Sequence, residues 1–179
     1  PERLRRLAAD HAAASDLLVV EGVMGLFDGA ADGRGSTADL ASTLGLPVLL
    51  VLDAERQSQS IAALAHGFST WRPDIRVAGL IVNRASSAKH EAMLRQALSP
   101  LPIPLLGVIP RRDGMGMPER HLGLVLPDEV AAFDTVLASA ANAVSDFLDL
   151  DLLRQLAIPA QTPDQQPPRL PPLGQNIAI

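Results

Sequence analysis

Short apolar runs alternate along the chain with longer stretches of helical periodicity. The runs Leu17–Val20, Val48–Leu52, Val77–Val82 and Leu105–Ile109 predict strands. They are continuously apolar rather than alternating, the signature of strands covered on both faces. Between them, Thr37–Leu44, Gln57–Phe68 and Ala88–Leu98 read as helices, and a further helix is expected from about Asp128 to Ala140. Such βα alternation predicts a doubly wound α/β domain around a mostly parallel sheet.

Both ends of the chain depart from that pattern. It starts on "PERLRRLAAD", already helical with no strand before it, so the domain is expected to be truncated at its amino end. Near the other end, six prolines between Pro159 and Pro172 are mixed with Gln and Asp, a composition that packs no core. Residues 1–157 are therefore expected to form the main domain and 158–174 a linker. Residues 175–179, with "NIAI", read as the opening of another domain.

Composition narrows the classes. A chain of 179 residues with 47% apolar content can bury a core. No apolar run approaches the roughly 20 residues of a membrane span, so the cytoplasm is the expected location and no membrane partner is expected. Fifteen basic against twenty acidic residues, with one Trp and four Phe, argue against a nucleic-acid partner. Without cysteine there is no disulfide, thiolate metal site or cysteine nucleophile.

The chemistry concentrates in "LLVVEGVMGLFDGAADGRGSTADLA". Glu21 follows an apolar run, and glycines 22, 25 and 29 bracket Asp28. In open α/β sheets, ligands bind beyond the carboxyl ends of the strands, where Glu21 and Asp53 are both expected. Glycines let backbone amides approach phosphate, and hard carboxylates beside them suit Mg²⁺. Ser36 and Asp39 have capping-box spacing, placing a helix amino terminus at the same crevice. A lone strand-end acid such as Asp53 also serves simply as a cap or a salt-bridge partner. No G-x-x-x-x-G-K-[ST] motif occurs, so the phosphate-gripping lysine of a P-loop is absent from this chain.

"VVEGVMGLFDG", then "GSTADLASTLGLPVLLVLDA", "GLIVNR", "GVIPR" and "PERHLGL" together resemble the cobyrinic acid a,c-diamide synthase family of corrin biosynthesis, in order and spacing from about Asp16 to Gly123. The resemblance implies a P-loop NTPase fold similar to dethiobiotin synthetase, joined in the family to a glutamine amidotransferase domain that residues 175–179 would begin. It also implies ATP-dependent phosphorylation of the a and c acetate side chains of cobyrinic or hydrogenobyrinic acid. Glutamine-derived ammonia from the glutaminase domain then displaces the phosphate. By the same resemblance Glu21 is a Mg²⁺ ligand, Asp28 acts near the carboxylate and ammonia, and Asp53 supports the site. Gly22, Ser36 and Thr37 are candidate ATP contacts, and Asn83 falls where the fold meets the adenine base. Arg111, Arg112, Arg120 and His121 are candidates for the corrinoid polycarboxylate, whose many acids suit arginine forks. Taken singly, each arginine is also an ordinary surface charge.

His11, His66 and His90 are expected to have no role, and Met115 and Met117 at most a weak contact with an apolar ring. Two other readings stay open: a cobyric acid synthase-type amidoligase, and a non-catalytic partition-type ATPase switch. The chain alone is expected to be inactive. A homodimer is compatible with the sequence.

Overall fold

The computed structural model describes residues 1–13, 15–112 and 132–159. The chain divides into two compact units, Pro1–Leu46 in the first and Pro47–Ile158 in the second.

The first unit holds two helices and a long loop. Helix α1 spans Glu2–Ala12 and α2 spans Thr37–Leu44. Arg5 Nε donates to the Thr43 carbonyl at 2.8 Å and ties the two helices together. The expected capping box starts α2: the Asp39 amide donates to Ser36 Oγ at 3.1 Å, and the Ser36 amide donates to Asp39 Oδ2 at 3.2 Å. Ser36 is buried, so two otherwise orphaned amides find partners away from water.

In this unit the expected strand at Leu17–Val20 does not form. The segment has no strand partner among the described residues, and Val19 is 77% exposed. An apolar run specifies a strand only when a ladder is there to receive its amides and carbonyls.

The second unit is a three-stranded parallel sheet in the order β1-β2-β3, with β1 at Val48–Asp53, β2 at Val77–Ala85 and β3 at Leu105–Pro110. Helix α3, Ser60–Thr70, joins β1 to β2, and α4, Ala88–Leu98, joins β2 to β3. Helices α5, Phe133–Phe147, and α6, Leu150–Leu156, follow. One sheet face packs Ile81, Leu106 and Ile109 against Ala143, Phe147, Leu153 and Leu156 of α5 and α6. The other presents Leu80, Val82 and Val108, fully buried, and α3 and α4 pack on each other and on the sheet there. Helices on both faces give the doubly wound α/β arrangement, and the sheet is open rather than closed into a barrel.

Six of β2's nine residues run without a break as buried positions, as a central strand requires, whereas β1 leaves Val51 exposed. At Gly107, the Cβ of any other residue would overlap the Phe147 carbonyl oxygen. The bare backbone lets residues 147–149 lie flat on β3, where Leu148 bridges to Gly107 and the Asp149 amide donates to the Leu106 carbonyl at 2.9 Å.

Strands β1 to β3 and helices α2 and α4 fall where apolar periodicity places them. Helix α3 begins three residues later than expected, because Ala54–Gln59 make a turn instead. The helix expected at 128–140 corresponds to α5, whose described part begins at Phe133. The linker and second-domain expectations lie outside the described residues.

Candidate functional site

Parallel strands place their carboxyl ends on one side of a sheet, and loops with chemistry converge there. Asp53 ends β1 and is paired in register with Asn83 of β2. Arg111 follows β3, and its amide donates to the Ala85 carbonyl at 2.8 Å. Three of the expected site residues therefore meet at one edge.

Arg84 binds this edge together. Its Nε donates to Asp53 Oδ1 at 2.8 Å, its Nη2 contacts Asp53 Oδ2, and its Nη1 lies 2.9 Å from Glu55 Oε2. The other Glu55 oxygen lies 3.4 Å from Arg111 Nη1. The Arg84 guanidinium holds the Asp53 carboxyl below the usual carboxylate range, assisted by the Glu55 amide and opposed by partial burial. The result is a chain of alternating charge across the ends of all three strands.

Beside it lies a cleft of about 520 Å³ lined by Glu55, Arg56, Gln57, Arg84, His90 and Arg111 among others. Three arginines, Arg56, Arg84 and Arg111, line it beside one acid, Glu55, a positive balance that suits an anion. His90 accepts from the Ser86 amide at Nδ1, 3.1 Å, which leaves its proton on Nε2, 2.6 Å from the Gln57 carbonyl. This neutral imidazole latches the start of α4 to the loop after β1.

Asn83 is held by its neighbours. Its Oδ1 accepts from the Arg84 amide at 2.9 Å, and its carbonyl accepts from the Ala54 amide at 2.9 Å. Arg112 is turned away to α5, 3.8 Å from Asp146 and with its guanidinium 4.7 Å over the Phe147 ring. Arg120 and His121, with Met115 and Met117, lie outside the described residues.

The first unit carries the remaining expected residues. Gly22 lies against the Thr37 side chain, and Gly25 lies against the Asp28 carboxylate, so closely that a Cβ at either glycine would overlap it. Gly22, Ser36 and Thr37 thus gather at the amino terminus of α2, where Ser36 Oγ is already engaged as the cap. Glu21 and Asp28 are exposed and form no ion pair among the described residues. The neighbouring acid Asp32 differs: Arg34, 2.7 Å away, lowers its pKa through a side-chain hydrogen bond.

Sequence reasoning missed Arg84 and Glu55. The available signal was positional, since Asp53 and Arg84 end adjacent apolar runs and parallel pairing brings such ends together.

A parallel α/β sheet with helices on both faces and charged loops at its carboxyl edge defines the open α/β class of domain, whose ligands bind beyond the carboxyl ends of the strands. The chain belongs to the AAA domain family, whose model matches residues 3–119. It is 53% identical to hydrogenobyrinate a,c-diamide synthase of Brucella anthropi over 91% of this chain and 38% of that protein. The Brucella ovis synthase of the same name is 51% identical over the same shares. The synthase of Rhizobium meliloti is 45% identical over all of this chain and 42% of its own length. The chain therefore spans about two fifths of the curated relatives it matches. No solved structure matches it.

Among the described residues, no helix is long and apolar enough to cross a membrane.

Proposed function

We propose that this chain is part of an ATP- and glutamine-dependent ligase that converts the a and c acetate side chains of hydrogenobyrinic or cobyrinic acid to amides. The observation that carries the reading is the 53% identity to a hydrogenobyrinate a,c-diamide synthase over 91% of the chain. A match over that share of the chain spans the glycine loop and all three strand ends, where the candidate chemistry lies. The names of the relatives favour this over a cobyric acid synthase or a partition-type switch.

In this reading a substrate carboxylate attacks the terminal phosphate of ATP to give an acyl phosphate, and ammonia from a glutaminase domain displaces phosphate to leave the amide. Both partners of the first step are anionic, so its barrier is dominated by charge repulsion. Glu21 and Asp28, exposed and without cationic partners among the described residues, are placed to act on ligands rather than on the fold. Their hard carboxylate oxygens also suit Mg²⁺, which takes one or two carboxylates plus phosphate and water. Mg²⁺ bound there would neutralise phosphate charge. Glu21 would be its protein ligand, and Asp28 would orient the ammonia or the acceptor carboxylate.

Gly22 and Thr37, at the start of α2, would lie near phosphate, with Ser36 contributing through the cap it forms. Asn83 would read the adenine base with its remaining hydrogen-bonding atoms, and Asp53 would support it through Arg84. For the polycarboxylate, Arg111 is better disposed than Arg112, which packs on Phe147; Arg120 and His121 complete the proposed set.

The test is a reaction of the intact protein with ATP, Mg²⁺, glutamine and hydrogenobyrinate. The expected outcome is a diamide by mass spectrometry with one ADP formed per amide. Glutamine hydrolysis with no amidated corrinoid would defeat the proposal.

A further inference from the structure

We propose that the cleft at the carboxyl ends of β1 to β3 is a subsite for one carboxylate of the corrinoid, an acid that is held there without being amidated, with Arg56 as its main contact. The proposal rests on the reading of the chain as part of a corrinoid ligase and adds to it a place for an acid that does not react.

The charge around the cleft sets the ligand class. Arg56, Arg84 and Arg111 line it. Two acids are set against them: Arg84 is forked on Asp53, and Glu55 lies 2.9 Å from Arg84 Nη1 and 3.4 Å from Arg111 Nη1. Three guanidinium groups against two carboxylates leave one positive charge unmatched among these residues, and one further carboxylate matches it. A triphosphate brings several negative charges and would set like charge against Asp53 and Glu55. At about 520 Å³ the cleft is far larger than a lone carboxylate, so the acid it suits is carried on a larger body.

The backbone holds Arg56 in place before any ligand arrives. Its φ is 61°, in the left-handed region that favours glycine or asparagine. It is the third residue of a turn closed by the Gln57 amide on the Ala54 carbonyl at 3.0 Å. The Glu55 amide donates to Asp53 Oδ1 at 2.9 Å, Gln57 Nε2 donates to the Asp53 carbonyl at 3.1 Å, and His90 Nε2 donates to the Gln57 carbonyl at 2.6 Å. A strained residue fastened from several sides marks a site built in advance of its ligand. The turn would form more easily with glycine, so what arginine supplies at this position is its guanidinium.

A carboxylate gripped by guanidinium groups is a poor nucleophile, because the bonds that hold it engage the lone pairs an attack on phosphate would use. The cleft therefore suits an acid that orients the macrocycle while another acid reacts.

The test is equilibrium binding of hydrogenobyrinate, of its a,c-diamide and of ATP to the intact enzyme and to Arg56→Gly, in which glycine accepts the positive φ. Expected is a Kd for both corrinoids raised about tenfold, as for loss of one charge-assisted hydrogen bond, with ATP binding unchanged and the melting temperature no lower than the parent's. Arg56→Lys, which keeps the charge without the planar fork, should recover part of the affinity. The diamide separates the cases, since the acid assigned to the cleft is still a carboxylate in it. If Arg56→Gly weakens hydrogenobyrinate alone, the cleft holds a reacting acid and the proposal is wrong. If it weakens ATP instead, or neither corrinoid, the cleft is not a corrinoid subsite and the proposal is overturned while the ligase reading stands. Failure of the ligase reading shows separately, as a parent enzyme that binds no hydrogenobyrinate and forms no diamide, and the subsite falls with it.

Discussion

The candidate site acids of the two units are treated in opposite ways. In the sheet unit, Asp53 and Glu55 are bound by Arg84 and Arg111, and the surrounding strands are buried. In the helix-and-loop unit, Glu21 and Asp28 stand exposed with no cation paired to them among the described residues, near Val23 at 96% exposure and Met24 at 65%. The difference separates two uses of charge. A paired acid at a strand end organises the protein, whereas an unpaired acid on a glycine loop does nothing for the fold and is available to a ligand.

The largest effect should come from the core of the sheet unit. Leu80 is fully buried at the centre of β2, and Leu80→Ala should cost about 3 kcal/mol in denaturant unfolding of that unit. A loss below about 1 kcal/mol would mean that the sheet is not the stable part, and the contrast would collapse.

Next come the loop acids. In the intact enzyme, Glu21→Gln and Asp28→Asn should each lower turnover about 100-fold while leaving the melting temperature within error of the parent, because neither removes a contact the fold uses. Near-normal rates in both would return these acids to ordinary surface positions. A lowered melting point with the rate loss would show instead that they organise the loop as Asp53 organises the strand ends.

Ser36→Ala tests the first unit alone. Loss of a buried capping serine costs about 1 kcal/mol, and the effect should appear as faster hydrogen exchange in α2 with exchange in β1 to β3 unchanged. Equal acceleration throughout would show that the units unfold together.

The smallest effect is in pH dependence. Asp53 has its folded pKa lowered by Arg84, so its stabilisation is fully present above the unfolded value of about 3.9 and is lost as pH falls through the lower folded value. The side chain is 48% exposed, so the contribution is discounted to less than about 1 kcal/mol. The stability gap between the parent and Asp53→Asn should be constant from neutral pH to about 5 and shrink below 4. A gap that widened in acid would reverse the sign assigned to the pair.

Much of the sheet unit is legible in the sequence because its strands are continuous apolar runs separated by capped helices, as at Ser87 before α4. The same signal misleads at Leu17–Val20, since hydrophobicity records a residue's preference for burial and carries nothing about where a partner strand is. Ser36 and Asp39 were readable because a capping box is local, four residues long, and needs no tertiary context. Arg84 was unreadable for the converse reason: its conformation depends on carboxylates 31 and 29 positions earlier in the chain, reached only after the sheet has formed. The candidate site divides the same way, its loop acids visible as composition and its clamp visible only as geometry.

Gly107 decides whether residues 147–149 can seat on the sheet. Strand β3 can join β2 and receive α4 whatever residue stands at 107, but Phe147 to Asp149 can lie down only on a bare backbone. A mutation there would leave the sheet half clothed, with α5 and α6 attached by the chain and unable to settle. For a lineage drifting through sequence space, any side chain at this position must displace the Phe147 carbonyl, and what the glycine protects is the seat of α5 and α6.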